Sequence, residues 1–378
     1  MRFRSDSGQA SLEYVVLLSL IVAVLGGAVA LTSPAIGSGV VATIRTGLCI
    51  VGGDVCRPAD AAAAGLAPCL TGERWSRQDT TLDVAVVRLG GHGEWQLALR
   101  SDGTATVTRL QGNEGGVTAG AGVTISPLGV DAKVTGAVTL GYRGGEAWHF
   151  PDARSAAAFL SAARSDAEAK AARPPSVRWS GLAAGAGGAA AVAVADLASA
   201  GLDVGADGVI GLRTEGSRRT IAVEVGRRDL RLFGDLPGFP SAAGATGGAV
   251  AEVTWAGGAL EELALRTARA AGDRRDEFVA RLPLTDPAAR AAAREVLRPG
   301  GDGMAALAAL IARSGVLEHA VYDVREHRRG ISVAGRLGVS LGFRHERASG
   351  ERRLVGATSV VRGGPPQQRF DCLGGVGG

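Results

Sequence analysis

Residues 129–142 read GVDAKVTGAVTLGY. Val130, Ala132 and Val134 alternate with Asp131, Lys133 and Thr135. A period of two is that of a β-strand with one apolar and one polar face. The run before it, GVTAGAGVTI at 116–125, has the same character. Glycines inside strands of this length let them bend and curl. The body of the chain is therefore expected to be antiparallel β-structure.

Working outward, LDVAVVRL (82–89), EWQLALR (94–100) and TATVTRL (104–110) read as three strands, with Ser101-Asp102-Gly103 as a hairpin turn. EAWHF (146–150) adds another strand. Pro151 then opens a helix over 152–172, with Ala158, Phe159 and Leu160 on its apolar side. A second series starts near Ser176 and includes RRTIAVEV (218–225), DLRLFG (229–234) and GAVAEVTWAG (248–257). Two helices are expected at 286–297, capped by Asp286 with Pro287 in the first turn, and at 303–315. The chain closes with LEHAVYDVRE, GISVAGRLGVSLGFRHER and RRLVGATSVV. The fold class expected is mainly β with helices (α+β): an N-terminal transmembrane helix and a Gly-rich antiparallel β-meander body with two or three helices.

With 58 glycines and only 4% aromatics, the composition is unusual for a chain of 378 residues. Net charge is +4 with 37 acids interspersed, and no basic stripe alternates with aromatics, so nucleic acid is not an expected partner. A hydrophobic content of 46% excludes wholesale disorder.

Residues 8–28 read GQASLEYVVLLSLIVAVLGGA, with Glu13 at the mouth of an apolar run. No charge occurs between Tyr14 and Ile44, and Val15–Leu31 with its flanks makes roughly 30 Å of helix, enough to cross a bilayer. Arg2 and Arg4 precede it, which keeps the N-terminus cytoplasmic and the body outside. Ala28-Val29-Ala30 offers the competing reading of a cleaved secretory signal. A transmembrane β-barrel is disfavoured, because an inner-membrane anchor and dispersed arginines do not suit an aromatic-girdled outer-membrane pore.

Gly8, Glu13, Tyr14 and the apolar helix resemble, in that order, the class III signal of Flp/Tad type IV pilin-like proteins, and the neck GLCIVGGDVC resembles that of long exported actinobacterial proteins with such a start. The resemblance covers about 25–50 N-terminal residues. It implies cleavage between Gly8 and Gln9 by a prepilin peptidase-like protease. It also implies that Glu13, beside Tyr14, pairs with the amine of a neighbouring subunit, and that Tad/Flp-like pilus or secretion components are partners. A carboxylate entering hydrocarbon needs such a partner. The resulting division is leader 1–8, pilin-like transmembrane helix 9–32, Cys-containing neck 33–72, a first β-meander unit with helix 73–175, a second β-rich unit 176–372, and a Gly-rich tail 373–378.

Cys49, Cys56, Cys69 and Cys372 form an even, clustered set expected to be oxidised. IVGGDV between the first two permits a tight reversal, which favours Cys49 with Cys56 and leaves Cys69 to tie the body's ends together through Cys372. The competing pairing joins Cys56 to Cys69 and Cys49 to Cys372.

Of His92, His149, His319, His327 and His345, none sits in a zinc-type spacing. Alternation places His319 and His327 on one strand face, most simply a solvated one. GDRRDEF from Gly272 reads as a solvated charged turn. Nucleophile elbows, Walker loops and CxxC pairs are absent, so no catalytic residue, cofactor or metal is expected. The expected function is a single-pass cell-membrane protein with a pilin-like anchor and an extracytoplasmic β-rich body acting by binding or assembly. The alternatives are an exported effector or toxin-like enzyme, or a hydrophobic-ligand carrier with a curved sheet.

Overall fold

A computed structural model describes residues 21, 49, 54–84, 87–117, 123–125, 130–134, 138–163, 166–185, 190–194, 205–206, 210–225, 249–257, 259–297, 304–336 and 340–373. Packing separates Met1–Cys56 from Arg57–Gly378. In the first unit Cys49 is bonded to Cys56 across a Cα separation of 6.0 Å, and the Asp54 amide donates to the Cys49 carbonyl.

The second unit holds seventeen strands: β1 Leu70–Val84, β2 Val87–Arg100, β3 Ala105–Val117, β4 Val123–Ile125, β5 Val130–Val134, β6 Val138–Phe150, β7 Val177–Gly185, β8 Ala190–Val194, β9 Gly205–Ala206, β10 Ile210–Glu215, β11 Arg218–Val225, β12 Ala249–Ala256, β13 Ala259–Ala271, β14 Arg274–Pro283, β15 Val316–Arg336, β16 Ser340–Val361 and β17 Gln367–Gln368. Thirteen form one antiparallel sheet in the order β1-β2-β3-β6-β7-β10-β11-β12-β13-β14-β15-β16-β17. Since β1 also pairs with β16, twelve of them close into a barrel, and β17 adds a short pairing to the end of β16. Strands β4, β5, β8 and β9 make a separate four-stranded sheet.

The up-and-down order defines two ends. The start of β1, the end of β16 and the chain leaving β6 and β14 lie at one end, the base. The end of β1 and the turn between β15 and β16 lie at the other, the rim. The pleat also defines two faces. Asp79 opposite His92, Arg77 opposite Glu94, Glu73 opposite Arg352 and Thr254 opposite Glu262 share one, the ion-pair face. Trp95, Val107, Trp148, Leu263, Leu265, Phe278 and Leu317 lie on the other, the helix face.

Helices cover the helix face near the base. Pro287–Leu297 and Met304–Ser314 bury Ala289, Ala293, Leu307 and Ile311 with Leu263, Leu265, Phe278, Leu282 and Leu317. The Asp286 carboxylate accepts from the Ala288 amide at 2.9 Å, which starts the first of them. Ala153–Ala162 begins at Asp152, whose carboxylate accepts from the Ser155 amide at 2.7 Å and is held below its ordinary pKa by that bond. It packs Ala156, Phe159 and Leu160 on Trp95, Val107, Trp148 and Phe150. Trp148 is fully buried and satisfies its indole N–H on the Arg173 carbonyl at 2.8 Å.

Several expectations are corrected. The fold is a closed barrel, not an α+β body of two meander units: β6 pairs with β7 from Thr139–Gly185 to Ala147–Val177, straight across the expected boundary at 175/176. The strand that closes the ring, LTGERWSRQDTTLDV, begins in the expected neck and runs through 73–81, where no element is expected, because charged and polar residues occupy most positions on both of its faces. LDVAVVRL spans the ends of two strands, EAWHF is the end of β6, and the helix expected over 152–172 is two helices, Ala153–Ala162 and Asp166–Ala172. Ring closure itself is not among the expected architectures of the body. The closed barrel replaces the body expected beside a single-pass helix, and among the described residues no helix is long and apolar enough to cross a membrane. Residues 9–32 other than Ile21, and DLRLFG, lie outside the described residues.

On the ion-pair face Trp75 lies over Gly350, its partner across β1 and β16; a Cβ built on Gly350 would stand 2.3 Å from the indole. Gly350→Ala is expected to lower stability by about 1–3 kcal/mol through overpacking. Gly72→Ala on β1, whose added carbon meets nothing closer than 3.7 Å, is the control and should change it far less. Thermal unfolding of the oxidised full chain measures both.

Candidate functional site

The ion-pair face holds the densest chemistry near the base. Arg352 on β16 forms ion pairs with Glu73 on β1 and Glu277 on β14, and its guanidinium lies 4.8 Å from the Tyr322 ring centroid. Burial raises the Glu73 carboxyl above its ordinary range against the pull of Arg352, and burial raises the Tyr322 phenol as well. Arg281 donates to Glu318 at 2.9 Å and reaches Glu262 at 3.5 Å. Glu318 in turn accepts from Arg369 at 3.3 Å.

Arg369 connects this network to the chain's end. It is 1% exposed, donates twice to Asp371 at 2.8 Å, and donates to the Ala67 carbonyl at 3.0 Å. Beside it Cys69 is bonded to Cys372 with a Cα separation of 5.5 Å, 303 residues apart in sequence. Tyr322, Leu354, Ala357 and Cys372 form a small core there, so the terminal segment Gln367–Leu373 packs against the ion-pair face at the base. Asp371 approaches the two sulfurs, but these are spent on each other, leaving one carboxylate rather than a metal-binding set.

The histidines are dispersed. His92 pairs with Asp79 and lies 3.5 Å from Glu94. His149 contacts Thr106 at 3.1 Å and Glu215 at 3.3 Å, and His345 contacts Thr80 at 2.9 Å. His319 and His327 share a face, but eight residues of strand hold them roughly 26 Å apart. His327 is exposed as expected; His319 is buried, stacked on Phe278 at 4.7 Å and 3.3 Å from Asp276. Burial pushes the His319 imidazole below its ordinary pKa despite Asp276. Burial also works to raise Asp276, and hydrogen bonds from Arg269 and His319 outweigh it, leaving that carboxyl below its usual range. The run from Gly272 is thus a hairpin whose Asp276 is engaged, not a wholly solvated turn.

Three clefts among the described residues mix charged and apolar linings. The largest, about 570 Å³, is lined by Gln78, His92, Glu94, Trp95, Arg109 and Asn113. One of about 330 Å³ includes Glu146, Arg178 and Trp179, and one of about 350 Å³ includes Arg213, Glu215, Arg218 and Arg281.

At the rim the helix face is apolar and open. Leu82, Phe343 and Val333 are direct register partners on β1, β16 and β15, with Ile331 two residues from Val333. Their exposures are 41%, 43%, 62% and 66%.

Of the residues singled out in the sequence, the four cysteines form the two bonds set out above rather than the competing pair. Gly8, Gln9, Glu13 and Tyr14 lie outside the described residues. Glu73, Glu318, Arg352 and Arg369 were not anticipated; only strand register brings them together, and no spacing along the chain encodes it.

No family model and no curated protein matches the chain. Among solved structures, a mutant of the Rh. blastica porin is 8% identical, with 74% of this chain and 100% of that one covered and a TM-score of 0.18. The Pseudomonas putida toluene transporter TodX is 10% identical, with 79% and 94% covered and a TM-score of 0.13. The translocator domain of the Neisseria meningitidis autotransporter NalP is 9% identical, with 78% and 92% covered and a TM-score of 0.12. Superpositions this loose carry no argument. The barrel itself corrects the expectation of a body of two meander units acting by assembly: the body is one closed wall.

His319 gives the base a pH dependence. An unfolded chain takes up a proton near pH 6.5, which the buried imidazole resists, so stability falls as the pH drops through that value. The melting temperature should fall more between pH 7.5 and 5.5 in the wild type than in His319→Gln, which keeps a donor for Asp276. Parallel melting curves for the two proteins would contradict this.

Proposed function

We propose that the barrel inserts its rim into a membrane and that its ion-pair face lines a hydrophilic passage, while the helix-covered base stays outside the bilayer. The single observation that carries this reading is the open apolar row Leu82–Phe343–Val333 with Ile331, at the end away from the helices and the terminal segment. Exposed apolar patches of this kind mark surfaces that contact something other than water.

A further feature supports it. On β1 and β16, away from any helix, the ion-pair face is the more crowded one: Ala348 is buried and Arg77, Asp79 and Glu346 are partly covered, whereas Ser76, Gln78, Arg347 and Ser349 opposite are exposed. Crowding without a covering element belongs to the concave side of a curved wall.

Chemically, a passage lined by paired arginines and glutamates favours small hydrophilic solutes of either charge over apolar ones. The terminal segment stapled by Cys69–Cys372 narrows the base end.

The oxidised full chain, added to lipid vesicles and planar bilayers, is expected to co-float with vesicles and to give stepwise conductance. Val333→Asp should weaken vesicle binding about tenfold, because a carboxylate at the rim opposes insertion. A folded wild-type chain that stays in the aqueous fraction and conducts nothing would overturn the reading.

A further inference from the structure

We propose that the basic rows directly below the apolar rim form a contact for anionic lipid headgroups, which sets how deep the barrel sits and which membranes it enters. This rests on the membrane reading above and adds the chemistry of the surface recognised.

Register orders the side chains of this face into rows. Val333–Phe343–Leu82 forms the first row on the helix face, and Ile331–His345–Thr80 the second. Arg329–Arg347–Gln78 is the third, His327–Ser349–Ser76 the fourth, and Arg325–Glu351–Arg74 the fifth. Successive rows on one face are about 7 Å apart. The first arginines therefore start about 14 Å below the outermost described apolar row, within reach of headgroup phosphates once that row is immersed. Arginine can stretch its alkyl stem toward the apolar rows while its guanidinium stays with phosphate, which it meets bidentately.

These charges are not spent within the protein. Among the described residues no carboxylate pairs with Arg329 or Arg347. Glu351 lies between Arg325 and Arg74, 3.8 Å from each, and those two side chains are 81% and 78% exposed. Four arginines thus face one glutamate across three strands, next to exposed Ile331 and Val333. The contrast with Arg352 on the opposite face, held by Glu73 and Glu277, shows that this strand trio pairs its arginines where they are enclosed and leaves them open here.

The test compares the oxidised wild-type chain with Arg329→Gln/Arg347→Gln and with Arg329→Lys/Arg347→Lys. Vesicles are either phosphatidylcholine alone or phosphatidylcholine with one quarter phosphatidylglycerol. Both positions are exposed, and circular dichroism and melting of each variant establish that the fold is kept. The Gln pair should bind the anionic vesicles roughly thirtyfold more weakly than wild type and the neutral ones equally. The Lys pair should retain most of the binding, and raising the salt from about 0.1 to 0.5 M should remove most of the lipid preference. Equal binding of wild type and the Gln pair to anionic vesicles overturns the headgroup contact while leaving rim insertion intact. A folded wild type that binds neither vesicle overturns both. If the Gln pair loses retention on immobilised polyglutamate but none on vesicles, the patch docks an acidic protein and the lipid proposal is wrong.

Discussion

Everything in the second unit depends on the ladder between β1 and β16. Its register runs from Gly72 opposite Arg353 to Val84 opposite Leu341. Without it the sheet would have two raw edges, each a row of unpaired amides and carbonyls open to other chains. With it, strands more than 250 residues apart become neighbours, and the closure is protected where it would fray. Cys69 and Cys372 tie the start of β1 to the segment after β16. For a loop of 303 residues the chain-entropy model gives roughly 5–6 kcal/mol, less whatever structure the unfolded chain retains. Arg369 adds a polar lock, bound to Asp371, Glu318 and the Ala67 carbonyl at one point. Each of these groups lies where the ring's two ends meet.

Closure also gives the two faces different work. Near the base, one face is covered by helices and buries leucines and aromatics, while the other carries arginine and glutamate in mutual pairs. A buried ion pair is weak evidence for stability, because desolvation offsets much of the attraction. Its value here is geometric: Arg352 binds Glu73 and Glu277 simultaneously and so fixes β1, β14 and β16 relative to one another. Toward the rim the helices end, and the same face shows bare apolar side chains bordered by Arg329 and Arg347, which meet no carboxylate among the described residues. The molecule thus divides into a satisfied base and an unsatisfied rim.

Much of the local structure was legible in the sequence. Period-two alternation marks β3 and β11, Ser101-Asp102-Gly103 is the expected turn, with Gly103 at φ 85°, and Asp286-Pro287 announces its helix, whereas GVDAKVTGAVTLGY, expected as one strand, divides between β5 in the four-stranded sheet and β6 in the barrel. The closing strand was not legible. Between Thr71 and Thr81 its residues other than Gly72 and Trp75 are polar on both faces, since one face pairs charges and the other meets solvent, so a lone tryptophan leaves no hydrophobic period to detect. His319 escapes a sequence reading for a related reason: beside Glu318 and Asp323 it looks solvated, and only strand register stacks it on Phe278 next to Asp276. The site residues Glu73, Arg352 and Arg369 are ordinary charges in the chain and acquire meaning only through register across nearly three hundred residues.

Ring closure is the central claim, and one crosslink tests it most directly. Ser76 on β1 and Ser349 on β16 are direct partners on the exposed helix face, so their Cβ atoms stand within about 5.5 Å. In a chain carrying Ser76→Cys and Ser349→Cys, mild oxidation of the folded protein should yield a single intramolecular bond between those positions, found by peptide mass mapping without reduction. Recovery of both new cysteines as free thiols, or linked only between molecules, in protein with the native Cys69–Cys372 bond intact, would contradict the closed barrel.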